Sequence, residues 1–135
     1  MTLHVGLGTF APLRGSKLSE IQLHEEYFEI TAAEADTMRA AQRLLCVGTT
    51  SVRTIETALL RGGLKPTSGQ TNLFIYPGFH FRGTGAMLTN FHLPQSSLLM
   101  LVSAFAGREL VLGAYRHAVA ERYRFFSYGD CMLIE

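Results

Sequence analysis

The sequence predicts an α/β fold, a mixed, largely parallel sheet flanked by helices, and three observations lead there. Residues 44–47 (LLCV) form a short, uninterrupted apolar run, which suits a strand buried on both faces, as in a parallel sheet. Gly48-Thr49-Thr50-Ser51 follows as a small polar turn and opens a helix over 52–61 whose inward face is Val52, Ile55 and Leu59. Further on, strand-like runs at 73–76 and 86–90 are separated by Pro77-Gly78 and a glycine-containing loop, after which Phe91-His92-Leu93-Pro94 turns into an apolar helix. A strand ending beside the first turn of a helix places unpaired N–H groups and side chains on one rim, where open α/β sheets bind ligands.

The remaining elements follow in order. Residues 2–10 (TLHVGLGTF) alternate Leu3, Val5 and Leu7 with His4, Gly6 and Gly8, which predicts a strand. In it His4 faces away from the leucines, either as a surface histidine or as a ligand contact. A loop carrying Arg14 and Lys17 leads to a strand-like run at 20–30, where His24 and Glu26, two apart, share a face. Such a pair is either an oriented acid/base couple or a solvated edge.

Thr31-Ala32-Ala33-Glu34 is a capping box, and the helix behind it buries Ala35, Met38, Ala41 and Leu45. Residues 62–71 (GGLKPTSGQT), with three glycines and a proline, read as an exposed loop. The central helix starts near Pro94, is apolar on most sides and ends at Gly107. A second helix over 109–123 leads to an aromatic segment with Phe125 and Phe126 in the core, a turn at Tyr128-Gly129-Asp130, and a last strand at 131–134. Asp130 is either a turn residue or a carboxylate of the site.

Composition narrows the function classes. The chain of 135 residues, 47% hydrophobic and 17% charged, suffices for one domain, 1–135, with its own core. Twelve basic against eleven acidic residues argue against broad electrostatic coating of nucleic acid, while leaving a local basic rim open. Cys46 and Cys131 have no CxxC partner or histidine at ligand spacing, so they read as buried structural thiols and no metal is expected. With neither a leader pattern nor a run of about 20 apolar residues, a cytoplasmic setting is expected. The turn at Gly48 is not a Walker or dinucleotide motif: it lacks GK[ST] and G-x-G-x-x-G. Either Ser51 caps the helix or its backbone N–H groups serve an anion or a nucleotide-like ligand.

Six blocks taken together carry a resemblance: HVGLGTFAP from His4, HEEY from His24, VGTTSVRTIE from Val47, FIYPGF from Phe74, LTNFHLPQS from Leu88 and YRFFSYGD from Tyr123. In this order they closely resemble the S-adenosylmethionine:tRNA ribosyltransferase-isomerases of queuosine synthesis. The resemblance implies an α/β fold. It also implies transfer and isomerisation of the ribosyl group of S-adenosylmethionine onto an aminomethyl-deazaguanine base of tRNA, giving epoxyqueuosine with loss of adenine and methionine. The implied co-substrate is S-adenosylmethionine, the implied partner a tRNA anticodon stem-loop, and no metal is needed.

Carried over position by position, the resemblance makes His24 with Glu26, His92 and Asp130 the acid/base candidates. His4, Gly48, Thr49, Thr50, Ser51, Arg53, Pro77, Gly78, Asn90, Tyr128 and Gly129 are the binding candidates, and Arg53 and Arg124 the contacts to tRNA phosphates. The blocks correspond to the C-terminal part of the family, less than half of its usual length. The chain is therefore expected to be a fragment lacking the family's inserted β-rich domain, with an exposed edge through which it can self-associate. Departures from the family pattern fall at Gly85, where an acidic residue is usual, and at Gln70 and Ser97. Two competing readings are a folded fragment that binds S-adenosylmethionine or tRNA without turnover, and an unrelated methyltransferase-like module. The second leaves TNFHLP and YRFFSYGD unexplained.

Overall fold

The computed structural model describes residues 1–6, 18 and 21–135. Its strands are β1 (Thr2–His4), β2 (Glu26–Ile30), β3 (Leu44–Val47), β4 (Thr67–Thr71), β5 (Thr84–Asn90) and β6 (Cys131–Ile134). Its helices are α1 (Ala32–Ala40), α2 (Thr49–Leu60), α3 (Ser97–Ala106) and α4 (Arg108–Ala120), and Phe126–Tyr128 form a 3₁₀ turn. Two three-stranded sheets result, in the orders β1-β2-β4 and β3-β5-β6.

The mixed α/β architecture is as expected, but the balance of pairing differs. Among the described residues β3 and β5 run parallel, whereas β1–β2, β2–β4 and β5–β6 are antiparallel. β4 occupies part of the stretch expected to be a loop. All five of its residues pair with β2, so long-range partners override a loop-like composition. Residues 73–76, expected as a strand, form none, yet Ile75 is buried in the core. The later part of the expected first strand and the Arg14/Lys17 loop lie outside the described residues.

Helix α2 lies between the sheets. Its residues Val52 and Ile55 join the core formed with Cys46, Met87, Leu101 and Val102, while Ala58 packs with Phe28, Ile30 and Ala35 on its other side. Every residue from Thr49 to Ala58 is buried, so the single inward face expected from sequence is replaced by burial all round. Polar groups on such a helix must find partners within the protein. Apart from Arg53 Nε and Thr54 Oγ1 they do so, largely by tying strands to it: Glu56 accepts from the backbone N–H groups of Arg82, Gly83 and Thr84 and from the Thr84 hydroxyl, at 2.8–3.1 Å. Thr57 and Thr71 share a hydroxyl hydrogen bond of 2.6 Å.

Local signals set the other helix ends. The capping box at Thr31 and Glu34 starts α1 as expected. Helix α3 starts later than Pro94, with Ser96 as its N-cap, and ends on Gly107 at φ 88°. A bend of 116° there leads into α4. No single helix among the described residues is long and apolar enough to cross a membrane.

β3 is not buried on both faces. Cys46 points into the core, but Leu45 and Val47 are 52% and 62% exposed. Through the registers Val47↔Leu88 and Leu88↔Leu133 this open face continues to Leu133, 58% exposed. Of the two thiols expected to be buried, Cys46 is and Cys131 is not. Phe126, expected in the core, is also exposed.

Candidate functional site

Parallel pairing of β3 with β5 brings two sequence-distant turns side by side. At the end of β3, Gly48 (φ 83°) donates its N–H to Leu88 O at 2.8 Å and passes the chain into α2. Positive φ at this position favours glycine. Its neighbour β5 ends at Asn90 and enters the Phe91-His92 turn. No side chain caps α2: Ser51, the expected cap, instead donates back to Val47 O at 2.6 Å. The positive end of α2 therefore opens onto a cavity of about 280 Å³, walled by Leu3 and Val5 of the first segment, Gly48–Ser51, Thr89, Asn90, His92 and Leu98.

A second cavity of about 370 Å³ shares Asn90, His92 and Leu98 with the first and adds Ser96, Phe126 and Ser127. Asn90 and His92 thus stand between the two. Phe126, which lines this second space, has φ 58°, a left-handed value that bulky residues seldom adopt and that Gln95 and Arg122 share. Strain of this kind concentrates where surrounding structure must hold a functional shape. Phe126 is fixed by donating its N–H to Phe91 O at 3.2 Å, which joins the YRFFSYGD and TNFHLP blocks.

His92 is the most constrained of the expected acid/base residues. Its Nε2 lies 2.9 Å from the Thr89 hydroxyl, and its N–H donates to Tyr115 Oη at 2.7 Å. Phe91 stacks edge-on against Tyr115 at 5.3 Å, so α4 holds this turn by an aromatic contact and a hydrogen bond. Burial lowers the His92 pKa to about 4, leaving the ring neutral at neutral pH. Because the folded value lies below the unfolded one of about 6.5, protonation favours unfolding. The stability contribution is complete above about pH 6.5 and declines towards pH 4, by about 3 kcal/mol in all. Urea denaturation of wild type and His92→Gln across this range is expected to differ by that slope.

Glu26 and His24 are not brought together. β2 starts only at Glu26, so strand alternation does not reach His24, which is exposed. Glu26 points inward and forms an ion pair with Arg53, the two residues being 1% and 2% exposed. Thr50 Oγ1 donates to the other carboxylate oxygen at 3.5 Å. Burial pushes the Arg53 pKa down while the charge of Glu26 holds it up. Arg53 is therefore no surface contact for phosphates, a correction to the sequence reading, and its Nε is buried without a hydrogen-bond partner.

The other expected positions divide. Asp130 Oδ2 accepts from Arg124 N–H at 2.5 Å and from Arg124 Nε at 3.4 Å, which closes the 124–130 turn. These two bonds hold its carboxyl below the ordinary range and ionised. Arg124 stays exposed, and Asn90 Nδ2 donates to Asp130 O at 3.4 Å. Tyr128 projects outward, and Gly129 packs against the Arg124 guanidinium. His4 pairs with Tyr27 at 5.4 Å, away from the cavity that its neighbours Leu3 and Val5 line. Pro77 and Gly78 form a turn closed by Phe79 N–H to Tyr76 O and line neither cavity. Thr89, Tyr115 and Phe126 escaped the sequence reading. Thr89 sits inside the TNFHLP block and Phe126 inside YRFFSYGD, whereas nothing local marks Tyr115.

Among the described residues no group of three or more His, Cys, Asp or Glu side chains could hold a metal ion.

Comparison with known proteins supplies the family. Residues 1–134 match the family model described as "Queuosine biosynthesis protein". The chain is 63% identical over 134 residues to the S-adenosylmethionine:tRNA ribosyltransferase-isomerase of Solibacter usitatus, and 55% identical over 138 residues to that of Acidithiobacillus ferrooxidans. These alignments cover 99% of this chain but 37% and 40% of the relatives, so the chain spans well under half of their length. The crystal structure of S-adenosylmethionine tRNA ribosyltransferase from Thermotoga maritima superposes with a TM-score of 0.78 at 48% identity, over 82% of this chain and 40% of that one. The chain belongs to the queuosine biosynthesis protein family.

Proposed function

We propose that this chain contributes the S-adenosylmethionine site for ribosyl transfer and isomerisation onto an aminomethyl-deazaguanine base in a tRNA anticodon stem-loop, giving epoxyqueuosine. The observation that carries this reading is the meeting of the uncapped α2 N-terminus, Asn90 and the neutral His92 at one pair of cavities. Amides of the first α2 turn suit the methionine carboxylate. Leu98 and Phe126 offer apolar walls for a flat base, and Asn90 offers a donor and an acceptor to its edge.

The chemistry asks for a base to take a proton beside the sulfonium, an acid to help adenine depart, and a held amine, with water excluded. Neutral His92 is the proton acceptor in this reading, oriented by Thr89 and Tyr115. Glu26 and Arg53 keep α2 in place beneath the site, and Asp130 holds the Tyr123–Asp130 turn. A role on tRNA fits a cytoplasmic setting.

A second reading, binding without turnover, is favoured by the open apolar face at Leu45, Val47 and Leu133, which also offers a surface for self-association. Calorimetric titration with S-adenosylmethionine tests the first reading. Wild type is expected to bind, and Asn90→Ala to weaken binding about tenfold, the cost of one or two lost hydrogen bonds. Undetectable binding by a cooperatively folding chain would sink it. Adenine release in the presence of precursor-containing tRNA then separates turnover from binding alone.

A further inference from the structure

Three arginines converge at the opposite end of the β3-β5 pair. Arg39 comes from the last turn of α1, Arg43 from the link into β3, and Arg82 from the approach to β5. Together with Gln42 they line an open cavity of about 380 Å³ in which no carboxylate takes part. The acids paired with two of them lie outside its lining: Asp36 beside Arg39, and Glu135 at 3.3 Å from Arg43. Both are exposed ion pairs, which are weak, and the same guanidiniums also donate to backbone carbonyls, Arg39 to Leu64 O at 2.5 Å and Arg43 twice to Gly85 O at 3.1 Å, which fixes them at the cavity wall. Arg82 has no side-chain hydrogen bond or ion pair among the described residues, because Glu56 engages only its backbone N–H.

We infer that this cavity binds phosphates of an RNA backbone. The Arg82 guanidinium can take phosphate oxygens as a fork, and Arg39 and Arg43 beside it add positive charge to a concave surface whose lining holds no acid, despite a net charge of only +1. β5 has seven residues, so its two ends stand about 20 Å apart. An RNA helix with one nucleotide in the candidate site can therefore set backbone phosphates against Arg39, Arg43 and Arg82. The inference rests on the proposed function for its choice of RNA, and it assigns the surface that Arg53, being buried, cannot supply.

Fluorescence anisotropy with an anticodon stem-loop RNA tests it, comparing wild type, Arg82→Ala, Gln42→Glu and, as a control on exposed α4, Arg116→Ala. Neither Arg82 nor Gln42 is buried, so both variants should fold. Wild type is expected to bind with a steep salt dependence between about 50 and 200 mM. Each cavity variant should lose affinity about fivefold, and Arg82→Ala should lower the salt slope by about one, with Arg116→Ala unchanged. Unaltered affinity in both cavity variants, or no RNA binding by wild type, would overturn the inference. Equal competition by inorganic phosphate at low millimolar concentration would also overturn it, in favour of a free-anion site. S-adenosylmethionine titration of the same proteins keeps the two proposals apart, since loss of that binding alone leaves the arginine cavity standing.

Discussion

Arg53→Met is expected to destabilise the protein by about 3–5 kcal/mol in urea denaturation, the range seen when one partner of a buried ion pair is removed. Arg53 and Glu26 are almost fully enclosed between α2 and β2. Taking away the guanidinium strands a carboxylate in the interior with its Arg53 contact gone. The double variant Arg53→Met/Glu26→Gln should recover most of the loss, because the pair as a whole contributes little beyond offsetting its own desolvation. A single variant within about 0.5 kcal/mol of wild type would mean that Arg53 relaxes to solvent and that α2 is not clamped there.

Glu56→Leu is expected to cost about as much, roughly 3–5 kcal/mol, by a different route. Leucine removes one acceptor that serves four donors and leaves three backbone N–H groups and the Thr84 hydroxyl without it. Each buried donor left unsatisfied costs about 1–3 kcal/mol, and partial relaxation of residues 82–84 towards solvent reduces the sum. Because these residues lead into β5, the variant should also lose hydrogen-exchange protection in β5 before α4. Uniform loss across the chain would show that Glu56 acts on global stability alone.

The features legible in the sequence were those written locally. Thr31 and Glu34 announce α1 within four residues, LLCV marks β3 to the residue, and Gly107 ends α3. What was missed depends on distant partners. TSGQT has no strand-like composition, and only pairing with β2 along its whole length makes it β4. Conversely FIY reads as a strand because burial and strand propensity leave the same trace, yet Ile75 is buried without any strand pairing in this segment.

The site shows the same division. The blocks holding Gly48–Ser51, Asn90 and His92 could be picked out, and parallel pairing of β3 with β5 brings them together. The face shared by His24 and Glu26 required a strand through both, and the chain becomes a strand only at Glu26. Arg53 reads as a surface cation because nothing in VGTTSVRTIE reveals that sheets cover both sides of α2. Tyr115, 23 residues beyond His92, could be found only in three dimensions.

If the paired turns at the ends of β3 and β5 hold S-adenosylmethionine, amide chemical-shift mapping of the isotopically labelled chain will show it. Titration should give saturable shifts concentrated at Gly48–Ser51, Asn90 and His92, with smaller ones at Ser96 and Phe126 and none around Arg39 and Arg82. Shifts gathered instead along α4 and β6, which line a separate cavity of about 350 Å³, or no saturable shift in a folded chain, would rule this placement out.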